Sequence, residues 1–233
     1  ERICPPNAGM HDTSPWLLAG LIATFLLAGS VKGATGMGLP TVAMALLGSF
    51  LPPAQAASLL LLPSLVTNVW QLLAGGALRA LLQRLWPMLL AATLATVACA
   101  PWLARVDPRW GSAGLGCALV LYALWSLLGP RWQLPPQSSP WLSVAVGALT
   151  GCVTGATGVF VIPAVPYIQA LGLDKDSQVQ ALGLFFTAST VALAIGLGSQ
   201  ASLSGAGLGW SALAVLPALA GMHLGQRLRQ RIS

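Results

Sequence analysis

Hydrophobic residues run along this chain in seven long segments, which short clusters of proline, glycine and arginine separate. The segments cover residues 16–50, 54–74, 86–104, 112–128, 141–172, 178–198 and 207–225. Each is long enough for a bilayer crossing, which takes about 20 apolar residues. Barrel strands alternate polar and apolar residues over about ten positions, and these runs do not alternate. The pattern therefore predicts an all-α polytopic membrane protein, because a helix satisfies its own backbone hydrogen bonds in lipid.

Local signals mark where some of these helices begin. Proline has no backbone N–H to lose in the first turn of a helix, so Pro52-Pro53 predicts a helix start. In the second half Asp174, Asp176 and Ser177 can cap the next helix.

An internal repeat appears when the chain is shifted on itself by 122 to 123 residues. Val31-Lys32-Gly33-Ala34-Thr35-Gly36 then matches Val153-Thr154-Gly155-Ala156-Thr157-Gly158. Further matches pair Pro40 with Pro163, Gln55 with Gln178, Ser64 with Thr187 and Thr67 with Thr190. We therefore divide the chain into an N-terminal tail (1–15), a first transmembrane repeat (16–130), a linker (131–140) and a second transmembrane repeat (141–233). Four segments precede the linker and three follow it, so the repeat predicts an eighth helix after Ser233.

Segments 16–50 and 141–172 are too long for one simple crossing, and glycines followed by a proline interrupt both. Such residues break helices and leave backbone N–H and C=O groups free. Each segment could be a kinked crossing or a re-entrant hairpin. Because free backbone groups at membrane depth need a protein or water-filled cavity, paired breaks predict a transporter binding site. The alternative is that the glycines only allow close helix packing.

One charged residue, Lys32, lies inside an apolar segment, directly before the first break. An intramembrane ion is a functional hypothesis by default. No Asp or Glu occurs within the segments, so an anionic substrate is the expected counterion. Lys32 could instead extend to the far membrane surface, about 24 Å along the helix from Trp16.

Polar residues after the first break recur with helical spacing and are repeated more weakly in the second half. This stripe could line a cavity, or it could join helices by hydrogen bonds. The predicted substrate-binding residues are Lys32, Gly33, Ala34, Thr35, Gly36, Pro40, Ser64, Thr67, Asn68, Gln71, Thr154, Gly155, Ala156, Thr157, Gly158, Pro163, Thr187 and Thr190.

Composition agrees with a membrane protein and narrows its chemistry. Hydrophobic residues make up 56% of the chain and charged residues 7%, against about 25% charged in a soluble domain. The net charge of +6 comes from basic residues between or after apolar runs, where they anchor loops at headgroups, so nucleic acid is not an expected partner. No nucleophile–base pair, metal cluster or carboxylate pair occurs inside the segments, so we expect no enzyme activity, no metal and no cofactor.

At these residues the chain resembles the TauE/SafE family of sulfite and organosulfonate exporters. The resemblance rests on the duplicated halves, the glycine-rich motifs followed by proline, and the motifs Pro-Pro-Ala-Gln-Ala-Ala at 52–57 and Pro-Ser-Leu-Val-Thr-Asn-Val-Trp-Gln at 63–71. It implies an eight-helix exporter of sulfite, sulfonates or other sulfur-containing anions in the bacterial cytoplasmic membrane.

The sequence therefore predicts an anion exporter that works by alternating access between its two repeats. The alternatives are a transporter of a different small anion and a non-transporting membrane subunit or anchor of a larger complex. The expected partners are a small anion and the lipid bilayer, and the oligomeric state stays open.

Overall fold

The computed structural model describes residues 15–129, 133, 140–199 and 205–232, and this part of the chain is helical with no strand. The helices are α1 (Pro15–Thr35), α2 (Leu39–Leu47), α3 (Pro53–Leu73), α4 (Leu78–Arg105), α5 (Pro108–Leu128), α6 (Pro140–Thr157), α7 (Ala164–Ala170), α8 (Lys175–Gly198) and α9 (Gly205–Ile232). The predicted all-α class is confirmed. The predicted tail, most of the linker and the helix expected after Ser233 lie outside the described residues.

Six helices are long and apolar enough to cross a membrane, namely α1, α3, α4, α5, α8 and α9. The sequence predicted seven crossing segments, and α6, in the remaining one, is 18 residues long. Two helices extend beyond their apolar runs: α4 begins before residue 86 and includes Arg79, and α9 continues past residue 225 to Ile232. Arginine is a good helix former, so a helix continues past the point where its sequence stops being apolar.

The predicted helix starts are confirmed. Pro52 is the N-cap of α3, which begins at Pro53. Asp174 caps α8 by accepting a hydrogen bond from the Ser177 backbone N–H at 3.0 Å, and the hydrogen bonds from Ser177 lower the pKa of this carboxyl. Asp107 caps α5 in the same way by accepting from Arg109 N at 2.8 Å, which the sequence analysis did not foresee.

Both long segments are broken, but after the Gly-Ala-Thr triplets rather than within them. Helix α1 ends at Thr35, and Gly36 and Gly38 follow with φ angles of 80° and 102°. Helix α6 ends at Thr157, and Gly158 follows with a φ of 74°. Left-handed backbone of this kind is routine only for glycine, so these glycines end the helices.

The first broken segment is a hairpin. Lys32 on α1 contacts Thr67 on α3. Gly36 lies four residues after Lys32 and contacts Gln71, which lies four residues after Thr67. Helices α1 and α3 therefore run in the same direction, and the chain between them has to turn back. Helix α2 makes this return.

The long helices pack in pairs that are far apart in the chain. Helix α1 packs along α9, α4 packs along α6, and α3 packs against α8. The share of buried residues is largest in α8 and α3, at 67% and 61% of their apolar spans, and smallest in α5 at 17%. Helices α3 and α8 thus form the centre of the protein.

Glycines bring the outer pairs into backbone contact. A Cβ at Gly33 on α1 would overlap the carbonyl oxygen of Met222 on α9. A Cβ at Gly155 on α6 would lie 2.7 Å from the carbonyl oxygen of Thr96 on α4. Small residues permit such close approach of membrane helices. Gly33 and Gly155 therefore allow close helix packing, which was one of the two alternatives for the glycine motifs.

Candidate functional site

The side chain of Lys32 points into the protein rather than to the membrane surface. It is 2% exposed, and its Nζ donates hydrogen bonds to Thr67 Oγ1 at 3.2 Å and to Asn68 Oδ1. Both acceptors are neutral. No ion pair joins Lys32 to any of the carboxylates that the structure describes, which are Asp107, Asp174 and Asp176. An ammonium buried without a counter-charge is costly, so it needs further polar partners.

The two acceptors of Lys32 are held in place by other contacts. Thr67 Oγ1 donates to the Pro63 carbonyl at 2.7 Å, so it can only accept from the ammonium. Asn68 Nδ2 donates to Thr190 Oγ1 at 3.3 Å, which leaves Oδ1 for Lys32. These contacts connect α1, α3 and α8 at the centre of the protein.

One turn further along α3, Gln71 connects the first break to α8. Its Nε2 donates to the carbonyl oxygens of Gly36 and Val179, the latter at 3.0 Å. Its Oε1 is buried and finds no hydrogen-bond partner among the described residues, and the same holds for Ser64 Oγ on the same helix. The polar stripe that the sequence predicted on α3 is thus buried, with exposures of 4% for Gln71 and 0% for Ser64, Thr67 and Asn68.

A cavity of about 370 Å³ adjoins these residues. Its lining comprises Lys32, Gly33, Gly36, Trp70, Gln71, Ala74, Gly75, Gly76, Asp176, Val179, Met222, Gln226, Arg229 and Gln230. Lys32 is buried, whereas Asp176, Arg229 and Gln230 are exposed, so Lys32 lies at the inner end of the cavity and the exposed residues form the rim. Thr67 and Asn68, the hydrogen-bond partners of the ammonium, lie behind this lining. The cavity is within the size range of small-molecule sites.

The residues that α9 contributes were missed by the sequence analysis. Met222, Gln226, Arg229 and Gln230 recur at i, i+4, i+7 and i+8, which places them on one face of the helix. That spacing was visible in the sequence. The apolar run ends at residue 225, however, and Arg229 was interpreted only as an anchor at the headgroups.

The second break is different in its surroundings. Thr154, which aligns with Lys32, donates to the Val159 carbonyl at 3.1 Å, and Thr157 donates to the Val153 carbonyl at 2.7 Å. A Cβ at Gly158 would lie 2.9 Å from Met44 Cε. The threonines at this break are therefore satisfied by nearby backbone, and the glycine is covered by an apolar side chain.

The structure does not bring the two breaks together. A Cβ at Gly36 would lie 3.7 Å from Gln71 Nε2, near the end of α3, and a Cβ at Gly158 would lie 3.6 Å from Ala57 Cβ, near its start. Fourteen residues separate Gln71 from Ala57, which is roughly 21 Å along a helix. A single site formed by both breaks, as the sequence predicted, is not what the structure contains.

The predicted residues consequently fall into three groups. Those lining the cavity are Lys32, Gly33, Gly36 and Gln71. Those joined to Lys32 through hydrogen bonds are Thr67, Asn68 and Thr190. Those outside both sets are Ala34, Thr35, Pro40, Ser64, Thr154, Gly155, Ala156, Thr157, Gly158, Pro163 and Thr187. Ala156 and Thr157 instead line a separate, largely apolar hollow between α4, α5 and α6.

Comparisons with known proteins agree with the membrane fold. No curated protein and no solved structure matches the chain. A family model does match, over residues 21–233, and its description is sulfite exporter TauE/SafE. The match covers nearly the whole sequence, including every helix from the second turn of α1 onward. The chain therefore belongs to the sulfite exporter TauE/SafE family, a family of membrane transporters.

Proposed function

We propose that this protein exports a small sulfur-containing anion, such as sulfite or an organosulfonate, through the cavity beside Lys32. One observation carries the proposal: a buried lysine whose ammonium has neutral hydrogen-bond partners lines the inner end of a cavity. An anion bound there would supply the counter-charge that the described residues do not provide. Family membership supports the sulfur-containing class and the direction of transport.

The cavity offers an anion two cations at different depths. The guanidinium of Arg229 at the rim can hold two oxygens of a sulfonate or sulfite group at once, as guanidinium groups do with planar or forked oxyanions. The ammonium of Lys32 at the inner end is a point charge without that geometry. We expect Arg229 to collect the anion and Lys32 to bind it.

Alternating access around this site is the proposed mechanism. Thr190 is the repeat counterpart of Thr67, and it accepts a hydrogen bond from Asn68, the residue next to Thr67, where α3 meets α8. The breaks lie near opposite ends of α3, and this supports two inverted repeats related by an axis in the membrane plane. Helix α1 packs on α9 and α4 packs on α6, so each outer pair joins both halves. We therefore propose that these mixed pairs, rather than the two halves, are the moving units.

Reconstitution into proteoliposomes tests the proposal. Purified protein should move sulfite or methanesulfonate across the membrane, and Lys32→Met should bind the anion at least about 30-fold more weakly, which corresponds to about 2 kcal/mol. Lys175→Met is the matched control, because the other lysine of the chain is exposed at the start of α8.

Two outcomes would contradict the proposal. Unchanged affinity and full transport in Lys32→Met would remove the lysine from the site. Absence of flux for every small anion with folded wild-type protein would favour a non-transporting membrane subunit instead.

A further inference from the structure

We propose that Lys32 carries one proton across the membrane with each anion, so that a monovalent anion moves without net charge. The inference rests on the proposed function, since it assumes that the anion binds beside the Lys32 side chain. It adds a coupling ion to that function, namely the proton.

The first step of the argument is the absence of a fixed counter-charge among the described residues. On α3, Thr67 and Asn68 accept hydrogen bonds from Lys32, and Thr190 on α8 is the next residue in this network through Asn68. Gln71 on α3 and Val179 on α8 line the cavity with Lys32. From α9 the facing residues are Met222 and Gln226. All of these are neutral. The charged residues that line the cavity besides Lys32 are Asp176 and Arg229, and both are exposed at the rim.

The second step compares the loaded and the empty carrier. With an anion bound, Lys32 and its ligand form a neutral pair, which can move through a low-dielectric region at modest cost. Without the anion, a protonated Lys32 would carry an uncompensated charge through the same movement. The cost of an unpaired buried ion is several kcal/mol even after relaxation, and such groups lose their charge instead.

The third step is that the fixed partners of Lys32 suit both protonation states. A neutral amine has two N–H groups, and the structure supplies two acceptors, Thr67 Oγ1 and Asn68 Oδ1. An ammonium has a third N–H. The described residues supply Nζ with two acceptors and no third, so we assign the third donor to an anion oxygen. The extra proton and the anion are then expected to arrive and leave together.

The proton balance of one cycle follows. When the anion leaves, an N–H bond of Lys32 breaks, its electron pair stays on Nζ, and the proton passes to water on the same side. The neutral carrier returns, and Nζ takes a proton from water on the side where it binds the next anion. One anion and one proton have then crossed in the same direction. His223 on α9 is exposed and does not line the cavity, so we do not assign the proton to it.

Methanesulfonate is a suitable probe because it stays monovalent at ordinary pH, so any coupled proton belongs to the carrier. In wild-type proteoliposomes, an acidic outer solution should drive labelled methanesulfonate inward against its gradient by up to about tenfold per pH unit. A membrane potential set with potassium and valinomycin should change this accumulation by less than about twofold. Accumulation that follows the potential and ignores the pH gradient would overturn the inference while leaving the proposed function intact.

Lys32→Arg provides a second test, because arginine keeps its proton at all pH values reached in proteins. Because the loaded carrier remains neutral, exchange of internal for external methanesulfonate measures any change in anion binding that the new side chain causes in this variant. Its net flux should fall at least about tenfold, since the empty carrier keeps a charge. Lys175→Arg should match the wild type in both assays. Undiminished net flux in Lys32→Arg would overturn the inference.

Loss of exchange in Lys32→Arg would mean that the variant is misfolded or that arginine does not bind the anion. The pH-gradient experiment on the wild-type protein then tests the inference. A wild-type protein that exchanges neither methanesulfonate nor sulfite would overturn the proposed function and the inference with it.

Discussion

The two helix breaks have the same backbone plan and different chemistry. In both, a helix ends on Gly-Ala-Thr, and a glycine with positive φ follows. In both, the glycine of that triplet packs against the backbone of a distant helix. At the first break, however, Lys32 reaches α3 and a cavity lies beside it, whereas at the second break Thr154 bonds to a carbonyl five residues ahead.

This difference shows that a broken helix does not by itself leave polar side chains without partners. Backbone groups at a break can be satisfied locally, as the threonines of the second break illustrate. A site arises where a side chain is held in the interior with fewer partners than it can bind. The shared glycines should therefore matter equally for folding, and Lys32 and Thr154 should matter unequally for transport.

The largest effect is expected from the shared glycines. Gly33→Ala and Gly155→Ala each place a methyl group against the backbone of a neighbouring helix, so each should destabilise the protein by about 2–3 kcal/mol. Thermal unfolding in detergent measures this. Gly20→Ala on α1 is the matched control, since a Cβ there meets nothing within 4 Å. Similar melting of Gly155→Ala and the control would mean that the two breaks are not packed alike.

A smaller but specific effect is expected from Asn68→Asp. The new carboxylate would lie against the ammonium of Lys32 and supply the counter-charge that we assign to the substrate. Anion binding, measured by calorimetry or a fluorescence assay, should weaken at least about 30-fold while the protein stays folded. Thr190→Val removes a neutral partner of Asn68 and should weaken binding only about fivefold, in line with about 1 kcal/mol for one hydrogen bond. Unchanged anion affinity in Asn68→Asp would contradict the role of Lys32.

The smallest effect is expected from Thr154→Val at the second break. The variant loses the 3.1 Å hydrogen bond to the Val159 carbonyl and should lose about 1 kcal/mol of stability. Its transport rate should stay within about twofold of the wild type. A tenfold loss of flux with normal folding would show that the second break takes part in transport, and the comparison would fail.

Much of the fold could be predicted from local chemistry. The helix starts at Pro53 and Lys175 follow from proline and from an aspartate cap, and the buried stripe on α3 follows from residue spacing. The roles of neighbouring glycines could not be separated in this way. Gly33 and Gly36 are three residues apart, yet the first lies in a helix contact and the second ends the helix.

The site was predicted only in part because its geometry depends on helix direction and pairing. The sequence identified Lys32 and Gln71, but it could not show that α1 and α3 run in the same direction. Without that direction, the breaks could not be placed near opposite ends of α3. Arg229 was missed for a related reason, since its role depends on α9 packing against α1.

The pairing of α1 with α9 also bears on how the protein is made. Helix α1, whose Gly33 packs against α9, enters the membrane long before α9 has left the ribosome, because the described helices α2 to α8 are synthesised between the two. During that interval Lys32 lacks the wall that Met222 and Gln226 later provide. The wall of the cavity is therefore completed late in biogenesis, and in a nascent chain stalled before α9 Lys32 would have its partners on α3 but not the cover that α9 provides.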